Sequence, residues 1–218
     1  LFEVSENTVR AETQTMGELQ READAELIKE TQNEASLQKR EQSQRPKPDI
    51  LYGSIDAAKV RIEPRNEKEK AAENRETWRD LKAGCWYQGE IVPARQHSTR
   101  QRDKAQQEEV VLRAKNKQYF CDIDKAEQFG KLLWATGYAL GADRARILVF
   151  ICDGAVWIWN LIVHYFPNAI QIVDWYHAAD RLKRIAEEAF ANPSERRAWL
   201  ENVTEDLWQG RVELVIEA

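Results

Sequence analysis

One uninterrupted apolar segment constrains the fold of this chain more than any other feature. Residues 146–152 have the sequence RILVFIC, with no charged or amide side chain after Arg146. The run lacks the polar alternation of a strand that exposes one face to water, and it is typical of a strand buried on both faces of a sheet. Asp153 and Gly154 follow directly and predict a turn into a helix. The segment therefore favours an α/β fold.

Strands and helices alternate on both sides of this segment. The predicted bounds are residues 50–60, 78–91 and 109–123 for three strands, 124–140 and 154–166 for two helices, and 169–173 for a second buried strand. A break is expected near Asn116, and Pro167 stops the second helix. The order of three strands, helix, strand, helix, strand predicts an α/β fold with one mixed sheet.

Two of these elements have a clear two-sided pattern. In the second strand, Leu81, Ala83, Cys85 and Tyr87 alternate against Lys82, Gly84 and Trp86. In the first predicted helix, Asp124 is the expected cap, and Phe129, Leu132, Leu133 and Leu140 share one face, with Thr136 its one polar member. Gly141 is expected to end that helix. Both elements are therefore predicted to pack against a core.

The two flanks of the chain are predicted to be helical. Ser5 is the expected N-cap of a first helix, Gly17 is expected to interrupt it, and a charged helix then extends from Glu18 to about Lys39. Residues 45–48 (RPKP) predict a linker, and Asn192-Pro193 predicts a break and restart. We divide the chain into a helical N-terminal segment with its linker (1–49), an α/β core (50–177) and a helical segment (178–218).

Composition excludes some classes of protein. The 218 residues have a net charge of -5, so any contact with DNA must come from local basic patches. Cys85, Cys121 and Cys152 form no CxxC pair, which argues against structural zinc and favours a reducing cytosol. Apolar runs are only strand-length and no signal peptide is visible, so we expect a cytoplasmic protein. The chain begins with Leu and ends on a helical pattern, so both ends are expected to have been cut.

Two aspartates occupy similar places in the predicted sheet. Asp56 lies in the first strand, and Asp153 follows the fourth, where it gives way to a helix. If these strands are neighbours, the carboxylates converge despite the 97 positions between them (153 minus 56). Paired carboxylates suit two-metal phosphoryl transfer with Mg²⁺ or Mn²⁺. For either residue alone, a role as helix cap or turn former remains open.

A second cluster, Asp174-Trp175-Tyr176-His177, follows the fifth strand. Asp174 could cap the next helix, and His177 would then face back toward the strand end. There, His177 could contact a phosphate or act as an acid or base near neutral pH. The alternative is a capping Asp beside a half-buried, satisfied His. His97 and His164 are assigned no role.

Three blocks of sequence resemble bacterial insertion-sequence transposases of the ISKra type. The first block comprises residues 52–58 (YGSIDAA) and 78–84 (WRDLKAG), and the second is residues 152–159 (CDGAVWIW). The third comprises residues 166–169 (FPNA) and 172–178 (IVDWYHA). The blocks occur in the family's order and cover roughly residues 50–190.

The resemblance implies a ribonuclease H-like fold with a DDE-type metal site. Its mixed sheet would have three antiparallel strands, followed by helix-strand-helix-strand. Asp56 and Asp153 would be its first two carboxylates, while Asp174 and His177 would match the DxxH element of related mutator-like transposases. In such families a helical insertion follows, and the last catalytic Glu comes after it. We therefore expect residues 178–218 to begin that insertion and the third carboxylate to lie beyond Ala218. The candidates before that point, Glu201, Glu205, Glu213 and Glu217, have the pattern of a solvated helix face.

The implied function is DNA transposition. Metal-dependent cleavage at the ends of an insertion sequence would be followed by attack of the freed 3′-hydroxyl on target DNA, in a homodimer or higher synaptic assembly. Residues 4–10 also resemble the start of a recognition helix from a helix-turn-helix region, although a simple capped polar helix fits them as well. The chief rival is a truncated or domesticated fragment that binds DNA or a partner without cutting. A phosphatase-like hydrolase using Asp153 is a third hypothesis, and it lacks a recognisable nucleophile.

Two basic groups are expected to contact DNA phosphates, although each could also be a solvated face. They are Arg95, Arg100, Arg102 and Lys104 in a polar loop, and Arg181, Lys183 and Arg184 after His177. We expect DNA affinity to fall steeply with salt, and less steeply once the loop cations are replaced, because fewer counterions are then released. Fluorescence anisotropy over a salt series measures this slope, and an unchanged slope would remove the loop from the DNA-binding surface.

Overall fold

The structure, a computed structural model, describes residues 5–33, 36–37, 45–62, 78–93, 110–123 and 125–218. Its first elements are α1 (Glu6–Gln32), β1 (Ile50–Arg61), β2 (Trp78–Pro93), β3 (Val110–Asp122), α2 (Ala126–Ala139) and a 3-10 turn (Ala142–Arg144). They are followed by β4 (Ile147–Cys152), α3 (Val156–Tyr165), β5 (Ile170–Val173), α4 (Trp175–Ala189), α5 (Pro193–Trp208) and α6 (Val212–Glu217). The predicted alternation of strands and helices is confirmed.

The strands form one mixed sheet in the order β3-β2-β1-β4-β5. The pairs β1–β2 and β2–β3 are antiparallel, whereas β1–β4 and β4–β5 are parallel. This confirms an α/β fold in which three antiparallel strands precede the parallel ones. The predicted break in β3 is a bulge: Asn116 has a φ of 51°, and the register shifts between the opposing residues Trp86 and Gln88.

Aromatic side chains fill the core between the sheet and α2 and α3. Trp86 is fully buried, and its ring makes edge contacts with Phe150 and Phe166 at centroid distances of 5.3 and 5.6 Å. Its indole Nε1–H donates to Thr136 Oγ at 2.9 Å, so the one polar member of the α2 face satisfies a buried donor. The alternation in β2 therefore turns Gly84 and Trp86 inward.

The exposure of the last strand, β5, contradicts one prediction. β4 is largely buried, as expected, but β5 lies at the edge of the sheet, and Ile170, Ile172 and Val173 are 51%, 45% and 48% exposed. The prediction of a second buried strand was wrong, because an apolar run shows that a strand is suited to burial and does not show what covers it. The described residues cover only about half of each of these side chains.

The N-terminal helix is longer and more regular than predicted. Ser5 caps it as expected, its Oγ accepting from the Thr8 N–H at 3.2 Å. The expected interruption at Gly17 was wrong, because α1 continues through that residue to Gln32. Its last turns pack against α2, and Ile28 joins the core. The helix expected as far as Lys39 was also wrong, because α1 ends at Gln32 and Asn33 has an extended backbone with a φ of -102° and a ψ of 119°. Asp124, the cap expected for the next helix, lies outside the described residues.

Helices make up the part of the chain after β5. The predicted break is confirmed, because Asn192 caps α5 by accepting from the Ser194 N–H at 2.9 Å and Pro193 occupies its first turn. A further break at Gly210, with a φ of 71°, was not predicted. Over the residues that the structure describes, no helix combines the length and apolarity needed to cross a bilayer.

Two glycines should respond oppositely to replacement by alanine. Gly17→Ala is expected to stabilise the protein by roughly 0.5–1 kcal/mol, because alanine favours helix. An added methyl there would meet no atom within 4 Å. Gly141→Ala, the matched control, is expected to destabilise, since Gly141 has a φ of 79° and its new Cβ would clash with the Pro46 carbonyl oxygen. Urea unfolding followed by circular dichroism measures both, and effects of the same sign would contradict this account.

Candidate metal centre

The parallel register of β1 and β4 brings two carboxylates to the same level. Gly53 pairs with Phe150, an offset of 97 positions (150 minus 53). Continuing three residues along each strand places Asp56 level with Asp153, because they are separated by the same number of positions. The convergence that was predicted from two strand ends therefore follows directly from the pairing of the backbone.

An ion pair with the same offset lies at the other end of these strands. Arg146, just before β4, donates hydrogen bonds to both carboxylate oxygens of Asp49, just before β1, and the two residues are also 97 apart. This exposed pair lies at the opposite end of the same two strands and is consistent with their register. Its spacing, equal to that of Asp56 and Asp153, was a sequence signal that could have predicted it.

β5, the strand next to β4, positions the third part of the site, which is the start of α4. Cys152 pairs with Val173, and the Asp174 N–H donates to the Cys152 carbonyl oxygen at 2.7 Å. Asp174 then caps α4, its Oδ1 accepting from the backbone N–H groups of Tyr176 and His177 at 2.9 and 3.2 Å. The predicted cap is confirmed, and it turns the first residues of α4 back toward the strand ends.

Three side chains meet at this point. Asp56, Asp153 and His177 each offer one ligand atom, and these atoms all lie within 4.8 Å of one another. Asp153 is half-buried and the other two are exposed, so the cluster is open to a substrate. The ranges that the structure describes contain no second group of three such residues that could hold a metal ion.

Backbone groups orient the two carboxylates. The Ala57 N–H donates to Asp56 Oδ1 at 2.7 Å, and the Ala155 N–H donates to Asp153 Oδ1 at 2.8 Å. Asp153 thus forms the turn that was the alternative to a metal-binding role, and it also belongs to the cluster of potential ligands. The two roles are compatible, because a carboxylate has two oxygens and several lone pairs.

Asp174 is beside the cluster and orients its imidazole. Its Oδ1 lies 3.2 Å from Nδ1 of His177. An imidazole whose Nδ1–H donates to a carboxylate has the lone pair on Nε2 available for another partner. Asp174 therefore acts on His177, whereas the group of three potential ligands does not include it.

The other predicted site residues lie outside the cluster. Arg181 and Arg184 follow His177 by four and seven positions, so helical spacing places them on its side of α4, whereas Lys183 lies on another side. All three are exposed, and Arg184 pairs with Asp180 at 2.7 Å. The loop residues Arg95, Arg100, Arg102 and Lys104 lie outside the described residues, as does His97.

None of the C-terminal glutamates joins the three ligands. Glu201 and Glu205 line a separate groove with Trp175, Leu200 and Trp208, while Glu213 and Glu217 are exposed on α6. His164 is exposed on α3. Among the described residues, the cluster thus consists of two carboxylates and one imidazole.

No protein-family model, curated protein or solved structure significantly matches this chain. The sheet and the geometry of the cluster therefore carry the structural information about its function.

A buried thiol lies directly behind the carboxylates. Cys152 is buried, and this burial is the main reason that its pKa rises to about 12. The negative charges of Asp153, Asp56 and Asp174 raise it further, while a hydrogen bond with the Ile55 backbone opposes the rise. The thiol is thus protonated at neutral pH and is a poor nucleophile.

Cys152 is therefore expected to resist alkylation in the folded protein. Iodoacetamide at about pH 8 should label Cys121, which is free and exposed, and spare Cys152, whose thiolate fraction would be on the order of 10⁻⁴. Peptide mass spectrometry measures both sites. Protein unfolded in guanidinium chloride, the control, should be labelled at both. Equal labelling of the two sites in native protein would mean that the end of β4 opens readily in solution.

Proposed function

We propose that this protein is a metal-dependent nuclease and strand transferase of the DDE transposase class. The observation that carries the proposal is the convergence of Asp56, Asp153 and His177 within 4.8 Å, with Asp56 inside β1 and Asp153 directly after the adjacent β4. Carboxylates that come from distant parts of a chain and meet at strand ends are suited to holding divalent cations at a phosphodiester.

The sheet supports a ribonuclease H-like assignment. Its three antiparallel strands come first in the chain and are followed by helix-strand-helix-strand, which agrees with the arrangement that the resemblance to insertion-sequence transposases implies. The neighbouring of β1 and β4 is the condition under which Asp56 and Asp153 converge. The resemblance blocks also fall where that proposal requires them: the first includes β1 and the start of β2, the second begins at the end of β4, and the third spans β5 and the start of α4.

The donor set fits a divalent cation. Two carboxylates and an imidazole leave room for water and a phosphate oxygen around ions such as Mg²⁺ or Mn²⁺. When bound, such ions supply Lewis-acid activation of the phosphodiester. Asp56 lies within β1 and Asp153 directly follows the paired strand β4, and the Ala57 and Ala155 N–H groups each fix one carboxylate oxygen. Because Asp56 and His177 are exposed and Asp153 is half-buried, the cluster is accessible to a bulky polymeric substrate.

The charges on α4 favour a nucleic-acid substrate. Arg181 and Arg184 lie on the His177 side of the helix, with Arg184 roughly 10 Å along the axis from His177 and paired with Asp180. In a chain of net charge -5, such a local patch is where phosphates would be held. The proposed substrate is DNA at transposon ends and target sites, handled by a homodimer or larger assembly in the bacterial cytoplasm.

One observation favours a second candidate. Within the described ranges only two carboxylates belong to the cluster, whereas a DDE site uses three. A protein with this incomplete set could bind DNA through a metal ion and the basic residues of α4 without cutting it. The second candidate is therefore a non-catalytic DNA-binding fragment of a transposase.

Replacing Asp56 or Asp153 by asparagine distinguishes a nuclease from a fragment that only binds DNA. Asp56→Asn and Asp153→Asn are expected to lower cleavage of supercoiled plasmid DNA with Mn²⁺ or Mg²⁺ by more than about 100-fold, because each removes a charged ligand. DNA affinity should change little. Agarose gels measure cleavage, and anisotropy measures binding. Asp80→Asn is the matched control, since Asp80 is exposed on β2 and pairs with Lys59 away from the cluster.

Each result of this experiment is informative. Cleavage by the wild-type protein that both variants lose supports the nuclease. DNA binding by the wild-type protein without cleavage by either metal supports the second candidate. Normal cleavage by both variants would refute the assignment of Asp56 and Asp153.

A further inference from the structure

We propose that His177 is itself a metal ligand and that it makes the centre prefer first-row transition-metal ions, such as Mn²⁺, over Mg²⁺. This inference depends on the metal site of the proposed function. It goes beyond that proposal in naming the nitrogen donor, its positioning residue and the resulting choice of metal. The sequence alone had suggested only a phosphate contact or an acid–base role for His177.

The distances allow one ion to contact all three side chains. Ligand bonds of about 2.2 Å place two ligands on opposite sides of an ion about 4.4 Å apart, and adjacent ligands closer. The three ligand atoms lie within 4.8 Å of one another, a few tenths of an ångström beyond the opposite-ligand distance, and pairs that become adjacent must move closer than that. Such adjustments cost little here, because Asp56 and His177 are exposed and Asp153 is half-buried.

The environment of His177 is that of a metal-ligating imidazole. Such imidazoles usually donate their second ring N–H to a carboxylate or carbonyl, which fixes the tautomer and strengthens the metal-binding nitrogen. Asp174 Oδ1, at 3.2 Å from His177 Nδ1, supplies this partner. Asp174 is held in turn by the backbone N–H groups of Tyr176 and His177 at the start of α4. It is therefore a positioning residue, and its hydrogen bond leaves Nε2 as the metal-binding atom.

A nitrogen donor changes the order of metal affinities. Mg²⁺ favours oxygen ligands, demands near-ideal octahedral geometry and gives up its water reluctantly. Imidazole binds first-row transition-metal ions better, and their affinity rises from Mn²⁺ to Co²⁺. A centre with Asp56, Asp153 and His177 should therefore bind Mg²⁺ through its carboxylates and gain additional affinity for Mn²⁺ or Co²⁺ through His177.

The test measures metal binding rather than activity. Wild-type protein is titrated with Mn²⁺ while free Mn²⁺ is followed by electron paramagnetic resonance, and Mg²⁺ is added as a competitor. We expect Mn²⁺ to bind at least about tenfold more tightly than Mg²⁺. Pulsed resonance spectra should show a ¹⁴N coupling to the bound ion. His177→Ala should remove that coupling and weaken Mn²⁺ binding by at least about tenfold, with little effect on Mg²⁺.

Two further variants separate binding from folding. His164→Ala removes an exposed histidine on α3, away from the cluster, and should change neither affinity nor the ¹⁴N coupling. Asp174→Asn keeps a side chain that can cap α4 but removes the charge beside Nδ1, and it should weaken Mn²⁺ binding by about tenfold. Circular dichroism checks that each variant is folded.

The measurements distinguish the failure of His177 as a ligand from the failure of the metal site as a whole. Mn²⁺ bound without ¹⁴N coupling, and with an unchanged preference in His177→Ala, would overturn His177 as a ligand while leaving the carboxylate site intact. Absence of Mn²⁺ and Mg²⁺ binding in the wild-type protein would overturn both. So would metal binding that is unchanged in Asp56→Asn and Asp153→Asn.

Discussion

The parallel register between β1 and β4 is the constraint on which the candidate centre depends. A slip of one residue would turn the Asp56 side chain to the other face of the sheet, and a slip of two would displace it by about 6.6 Å. The exposed Asp49–Arg146 pair adds a small preference for this register at one end of the strands. Gly53 favours it within them, because a Cβ at this position would lie 2.5 Å from the Phe150 ring and would force the ring to move.

Local features of the fold were predictable because they depend on nearby residues. The bounds of β1 and β4, the caps at Ser5 and Asp174 and the bulge at Asn116 all follow from short-range patterns. Exposure of β5 was not predictable in this way. It depends on which elements cover an edge strand, and an apolar sequence does not carry that information. Continuity of α1 through Gly17 was missed because one glycine lowers helix stability only modestly within a long helix.

In the candidate site too, local features were predictable from the sequence, whereas the spatial arrangement of distant residues was not. The positions of Asp56 and Asp153 at strand ends were visible in the sequence, but their proximity required the assumption that the first and fourth strands are neighbours. The role of His177 was less accessible, because its direction depends on how Asp174 caps α4. Sequence spacing predicted a polar cluster after β5, and only the folded backbone brings its imidazole beside carboxylates from two other strands.

The centre is shared between elements of unequal stability. Asp56 lies within one inner strand and Asp153 follows another, whereas His177 and its partner Asp174 follow the short, exposed β5 at the margin of the sheet. Edge strands with little buried surface are among the first parts of a domain to open transiently, while the core stays folded. Detachment of β5 would carry the imidazole away and leave the two acids where they are. An ion bound to all three side chains would link the edge strand β5 to the inner strands β1 and β4. Occupancy of the site would therefore slow amide hydrogen exchange in β5 more than in β1.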